Sequence, residues 1–167
     1  RAYDDGLALS MNKEFLASQG YDKPSGTYYV SLWNLSDPAN PEELGRIDAL
    51  DPSAYIFVSN DGKFLVSSGV GPDGQTDYTY LWDASNLTKS IQTEIPDLSL
   101  YNAIFSPNNK TLVIVGYDMT KETYVTMLWD ISNPAKPVEV DSLVDTSSES
   151  YDNIAFSGNS RYLTVVH

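Results

Sequence analysis

Short apolar runs alternate with turn-forming clusters along the whole chain, and each run has the length of a strand. Residues 54–59 form one such run. Asn60-Asp61-Gly62 follows it and suits the positive φ of a tight hairpin. Residues 63–68 make a second run, and 69–77 are rich in Gly, Pro and Asp. Residues 78–83 are aromatic and β-branched, as a third strand requires. A turn around Ser85-Asn86 then leads to a fourth strand near 90–95. Helical periodicity of useful length is absent, and the segment that comes nearest, 40–44, is too short to matter. Apolar runs such as Leu112-Val113-Ile114-Val115 fall far short of the ~20 residues of a spanning helix.

This four-strand pattern repeats. Leu9-Ser10-Met11-Asn12-Lys13-Glu14-Phe15-Leu16 aligns with Val58-Ser59-Asn60-Asp61-Gly62-Lys63-Phe64-Leu65. Phe105-Ser106-Pro107-Asn108-Asn109-Lys110-Thr111-Leu112 and Phe156-Ser157-Gly158-Asn159-Ser160-Arg161-Tyr162-Leu163 continue the series. A second anchor keeps the same beat, because Leu32-Trp33-Asn34, Leu81-Trp82-Asp83 and Leu128-Trp129-Asp130 each follow their serine by 23 residues. Two anchors in fixed phase define a unit of about 49 residues, the period of a four-stranded propeller blade. The fold class read from the pattern is therefore all-β, with blades of four antiparallel strands at about 6–50, 54–98 and 101–145 and a half blade at 151–167. That makes about 3.4 blades where closed propellers have roughly 4–8. The expectation is a partial propeller with edges that something else must cover.

The pairing of Phe-Ser-Pro-Asn-Asn-Lys-Thr-Leu with Leu-Trp-Asp, and of Ser-Asn-Asp-Gly-Lys-Phe-Leu with Leu-Trp-Asp, resembles WD repeats over almost the whole chain. The Gly-His pair usual before the first strand is missing from every copy, and the loops between second and third strands are longer than usual. The segments Asn34-Leu35-Ser36-Asp37-Pro38-Ala39-Asn40-Pro41 and Asp130-Ile131-Ser132-Asn133-Pro134-Ala135-Lys136-Pro137 are similar to bacterial WD-like and surface-protein propeller repeats. The resemblance implies that Asp83 and Asp130 are structural, and that without the His the blades rely more on packing. Trp33, Trp82 and Trp129 read as large side chains packed between blades rather than as ligand platforms. The Pro-x-x-Pro segments read as turns, since proline fixes φ and lacks an N–H.

Composition narrows the chemistry. The net charge is −13, which argues against a nucleic-acid surface and against docking on anionic lipid. There is no Cys and a single His, His167, so thiol catalysis, thiolate metal sites and a Ser–His–Asp triad are excluded. No phosphate-cradling Gly-rich loop is present, and no motif singles out a carboxylate pair among the 23 acids. The chain reads as non-catalytic and without a cofactor.

Candidate binding residues lie in the loops joining second and third strands, placed at 17–28, 69–77 and 116–123. They are Tyr21, Asp22 and Lys23; Asp73, Gln75 and Asp77; and Tyr117, Asp118, Lys121 and Glu122. These loops share a face with the inter-blade connections 48–54, 96–101 and 144–151, which add Asp51, Asp97, Asp145, Glu149 and Asp152. Such a face is acidic and suits a basic partner or a cation. Asp73 and Asp77 offer two carboxylates toward Ca²⁺, but the bidentate Glu of an EF-hand is missing, so no metal is assigned.

The expected function is a propeller scaffold that binds a protein partner through this face. A structural surface or filament protein, self-assembling through its blades, and an accessory propeller domain of a larger enzyme are the alternatives. Further blades of the same polypeptide are an equally expected partner. The sequons at Asn34, Asn86 and Asn109, the absence of Cys and the high Asn, Ser and Thr content lean toward an extracellular or cell-surface protein over a cytoplasmic one.

Overall fold

The computed structural model describes residues 6–49, 55–70, 77–89, 91–133, 135–145 and 153–166. Blade 1 comprises β1 (Leu7–Leu9), β2 (Phe15–Asp22), β3 (Thr27–Asn34) and β4 (Glu42–Ala49). Blade 2 comprises β5 (Ile56–Val58), β6 (Phe64–Val70), β7 (Asp77–Asp83) and β8 (Ile91–Pro96), with a short 3₁₀ segment, Ala84–Lys89, between its last two strands. Blade 3 comprises β9 (Leu98–Phe105), β10 (Thr111–Asp118), β11 (Thr123–Asp130) and β12 (Val138–Asp145), and a hairpin of β13 (Asn153–Phe156) and β14 (Leu163–Val166) follows. Each sheet is an antiparallel meander in chain order. The inner strands β1, β5 and β9 touch in succession, so the sheets stand side by side like blades about an axis.

The hairpin between the first two strands of every blade is built by the repeat serine. Ser10, Ser59, Ser106 and Ser157 each accept the backbone N–H five residues on, from Phe15, Phe64, Thr111 and Tyr162, at 2.9–3.0 Å. Each hydroxyl donates to the Asn or Asp two residues on: Asn12, Asp61, Asn108 or Asn159. The turns also bond to one another across blades. Asn12 Nδ2 donates to the Asn60 carbonyl at 2.8 Å, Asn60 N–H to Asn109 Oδ1 at 3.1 Å, and Asn108 N–H to Ser160 Oγ at 3.1 Å.

The fourth residue of each turn has a positive φ: Lys13 at 62°, Gly62 at 68°, Asn109 at 54° and Ser160 at 58°. At Gly62 a Cβ would lie 2.5 Å from Phe15 Cδ1 of blade 1, so glycine is required for space as well as for φ. Lys13 bears the left-handed conformation without either excuse. Lys13→Gly is expected to raise stability by about 0.5–1 kcal/mol, read as a higher urea midpoint at unchanged m-value.

Alternation along the strands gives each blade two apolar faces. Ala17, Val30, Leu32 and Ile47 of blade 1 pack with Ile56, Val58, Leu65, Tyr80 and Trp82 of blade 2. The other face of blade 2, with Phe64, Val66, Leu81 and Ile95, packs with Ala103, Phe105, Leu112, Ile114, Met127 and Trp129 of blade 3. Val113 and Val115 then pack with Ile154, Phe156, Leu163 and Val165 of the last hairpin.

Trp82 and Trp129 sit within these interfaces, whereas Trp33 lies half-buried on the face of blade 1 turned away from blade 2. Trp33 Nε1 donates to Ser18 Oγ and Trp82 Nε1 to Ser67 Oγ, both at 2.9 Å. The same position of blade 3 holds Ile114, and Trp129 Nε1 is buried with no hydrogen-bond partner among the described residues. The residue after each tryptophan closes the next turn. Asn34 accepts the Ser36 N–H at 2.9 Å, Asp83 the Ser85 N–H at 3.0 Å and Asp130 the Ser132 N–H at 2.8 Å. Hydrogen bonds from the Ser132 hydroxyl and N–H hold the Asp130 carboxyl below the ordinary carboxylate value.

Two details differ from the sequence reading. The segment placed in a loop at 17–28 is mostly strand and that at 116–123 is half strand, because β2, β3, β10 and β11 pair all the way to Asp22↔Thr27 and Asp118↔Thr123. The connection placed at 96–101 shrinks to Asp97, which takes φ 56° between β8 and β9. The segment 40–44, too short for a helix on the sequence, runs into β4 as part of the all-β fold.

Candidate functional site

In a meander the β2–β3, β6–β7 and β10–β11 turns leave one end of the blades and the serine turns leave the other. The connection from β8 to β9 belongs to the first end, and the bonds there agree. Met119 N–H donates to the Asp97 carbonyl at 2.8 Å and Thr120 Oγ1 to Asp97 Oδ2 at 3.1 Å.

In blade 1, Tyr21 and Asp22 are the last two residues of β2, and Lys23 opens a four-residue turn. Asp22 Oδ2 accepts the Ser25 N–H at 3.2 Å and its hydroxyl at 2.6 Å, a local use of the carboxylate that stiffens the turn. Tyr21 is exposed and tilts against Tyr28 at 4.7 Å, while Lys23 projects into solvent.

Blade 3 repeats the arrangement with a turn of the same four-residue length. Asp118 is buried at the end of β10, and its Oδ1 accepts the N–H groups of Thr120 at 3.0 Å and Lys121 at 2.8 Å. Its Oδ2 pairs with Lys121 Nζ at 2.9 Å. Glu122 is exposed with φ 52°. Tyr117 meets Tyr124 edge-on at 5.2 Å, and Tyr101 of β9 lies 5.9 Å from Tyr124.

Burial pushes the Asp118 carboxyl up, but the Lys121 ammonium and N–H and the Thr120 N–H together outweigh it, and the net shift is downward from 3.8. A lowered native value contributes stability that is complete above the unfolded value and is lost as pH falls through the native one. Acid titration of stability should therefore steepen below pH 3.8, and Asp118→Asn should remove that component while weakening the turn.

In blade 2, Asp73 and Gln75 lie outside the described residues, as does the side chain of Asp77, the first residue of β7. The Ca²⁺ reading of Asp73 and Asp77 falls there too. Of the inter-blade acids, Asp51, Glu149 and Asp152 lie outside the described residues as well. The structure thus groups the candidate residues blade by blade into two turns, each backed by a tyrosine pair.

Tyr28, Tyr124, Tyr101 and Thr120 belong to this end and escaped the sequence reading, whereas Asp97 was among the inter-blade acids it named. The spacing of Tyr21 to Tyr28 and of Tyr117 to Tyr124, equal about two symmetric turns, was the signal for the pairs. Of the three sequons, Asn86 is exposed, whereas Asn34 and Asn109 are half-buried and turn their Oδ1 atoms to backbone N–H groups.

A groove of about 600 Å³ runs along the inner strands, lined by side chains such as Leu9, Met11, Phe57, Ile104 and Phe105, with Asn60 at its polar end. Among the described residues no titratable side chain lines it. Among the described residues no group of three or more His, Asp or Glu is placed to hold a metal ion, and no helix is long and apolar enough to cross a membrane.

Solved structures share this architecture. Sqt1 from Chaetomium thermophilum superposes with a TM-score of 0.58 at 17% identity, covering 98% of this chain and 42% of that one. The β-propeller domain of the Trilobed protease from Pyrococcus furiosus, described as having an open velcro topology, gives 0.57 at 13% identity over 83% of this chain and 42% of that one. TolB from Acinetobacter baumannii gives 0.50 at 14% identity over 98% and 37%. The fold is a partial β-propeller of four-stranded blades, and the chain spans less than half the length of these three neighbours. No family model and no curated relative matches the chain.

Proposed function

We propose that the chain is a non-catalytic, divergent WD-type propeller scaffold that binds a protein partner through the end bearing the β2–β3 and β10–β11 turns. The observation that carries this reading is the pairing of exposed aromatic surface with rigid polar turns at that end. Tyr21 and Tyr101 are exposed, their neighbours Tyr28 and Tyr124 hold them, and Asp22 and Asp118 are spent on fixing the backbone rather than on chemistry. Tyrosine supplies large contact area at low entropic cost, which is why interfaces favour it. Exposed Asp97 and Glu122 add negative charge at the rim and favour a basic partner. An extracellular or cell-surface setting belongs to the same reading, supported by the exposed sequon at Asn86.

The test is affinity capture from extract of the source cells with three forms of the protein. Wild type and Lys110→Ala, altered at the serine-turn end, should enrich the same partner, and Tyr21→Ala/Tyr101→Ala should lose it. Identical captured sets from all three forms would sink the reading.

A further inference from the structure

Each blade turns the same repeat positions toward the blade before it. They lie three and one residues before the turn serine, six after it, at the tryptophan and two beyond the tryptophan. In blade 2 these are Ile56, Val58, Leu65, Trp82 and Ala84, and all are buried against blade 1. In blade 3 they are Ala103, Phe105, Leu112, Trp129 and Ile131, buried against blade 2. In blade 1 they are Leu7, Leu9, Leu16, Trp33 and Leu35. Leu7 and Leu9 are each 51% exposed where Ile56 and Val58 are 7%, and the other three are only half-buried.

The opposite end of the blade series shows the same deficit. Leu143 occupies the position of Ile47 and Ile95, opposite Val30, Thr79 and Thr126 in register. It is 60% exposed where its counterparts are 5%. Thr79 Oγ1 donates to the Leu98 carbonyl of the next blade at 3.0 Å, whereas Thr126 Oγ1, at the same position and buried, has no partner among the described residues. A buried hydroxyl in that state costs free energy that its repeat counterpart does not incur.

We propose that both surfaces are interior faces of a larger ring, covered by further strands of the same polypeptide. A blade before β1 sits on Leu7, Leu9, Leu16, Trp33 and Leu35, presenting small and branched apolar side chains as Ala17, Val30, Leu32 and Ile47 do. Two outer strands complete the last hairpin beyond β14 and cover Leu143, the first of them carrying a tryptophan at about position 180, where the repeat period puts it. The occupant is a complete blade because the open face of blade 1 is three strands wide. Docked in ring order, a second copy would offer it only the two-stranded β13–β14 hairpin, one strand short of the face that carries Trp33 and Leu35. The lengths of the neighbours, of which this chain covers 37–42%, agree with a longer propeller.

The test compares the 167-residue chain with the complete gene product, each carrying Leu9→Asp or Val58→Asp. In the 167-residue chain, Leu9→Asp should leave the melting temperature within about 3 °C and the protein at its 18.5 kDa monomer mass, while Val58→Asp unfolds it. In the complete product, Leu9→Asp should lower the melting temperature by more than about 10 °C, as Val58→Asp does. A second readout does not depend on stability. Leu9→Cys, the lone thiol of the otherwise cysteine-free 167 residues, should react with a maleimide in the short chain and resist it in the complete product. The proposal is overturned if Leu9→Asp is tolerated and Leu9→Cys labelled in the complete product. It is equally overturned if the 167-residue chain is a dimer that Leu9→Asp splits, or if the gene encodes no further blade.

Discussion

Leu112→Ala should lower the free energy of unfolding by about 3–5 kcal/mol, and Leu16→Ala, the same substitution at the same repeat position, by only about 1 kcal/mol. Leu112 has no exposed surface, pairs opposite Trp129 and Phe105 in register, and lies in the cluster that joins blades 2 and 3. Truncation there removes apolar burial and leaves a cavity that two rigid sheets cannot close. Leu16 is half-buried because its face has no described blade in front of it, so water already reaches part of the side chain. Urea denaturation followed by tryptophan fluorescence measures both, and equal losses would mean that burial by the neighbouring blade is not what stabilises these positions.

The second large effect separates two buried tryptophans. Trp82→Phe should cost about 2–3 kcal/mol, since it vacates volume in the blade 1–blade 2 interface and leaves the Ser67 hydroxyl, itself buried, without its donor. Trp129→Phe vacates the same volume but removes an N–H that has no partner among the described residues, so part of the loss is returned and the cost should be about 1 kcal/mol. Thermal melts of the two single variants decide it. If the Trp129 substitution proves the more damaging, the indole N–H of Trp129 has found a partner in solution, and the account of Ile114 as an apolar replacement for Ser18 and Ser67 fails.

The architecture was legible because the repeat is carried by side chains with fixed jobs. Ser59 must accept a specific N–H and Trp82 must fill a gap between sheets, so both recur in phase. What the sequence obscured was extent. Ser18, Gln19, Gly20, Tyr21 and Asp22 look like loop by composition, yet they continue β2, because a hairpin goes on pairing beyond the core once its partner strand is aligned. The same effect hid the tyrosine pairs, which exist only if β2, β3, β10 and β11 reach their tight turns. Lys13 by its own residue type gave no sign of a left-handed conformation, and only its alignment with Gly62 marks it, since the four-residue geometry set by Ser10 and Asn12 imposes it from outside the residue. The missing acceptor for Trp129, by contrast, was there to be read in the alignment of Ser18, Ser67 and Ile114.

The cross-blade bonds from Asn12 to Asn60, Asn60 to Asn109 and Asn108 to Ser160 link only adjacent turns. A chain coupled this way has nearest-neighbour cooperativity, so its opening free energies should form a gradient and not a single plateau. Amides of β6, β7, β10 and β11, flanked on both sides, would exchange with solvent deuterium only through global unfolding. Those of β1, β2, β13 and β14 would exchange through fraying of one terminal sheet at a time. The 167-residue chain would then have a slow-exchanging centre of two blades and two faster margins, and the contrast between them would measure what a closed ring gains by having no margins.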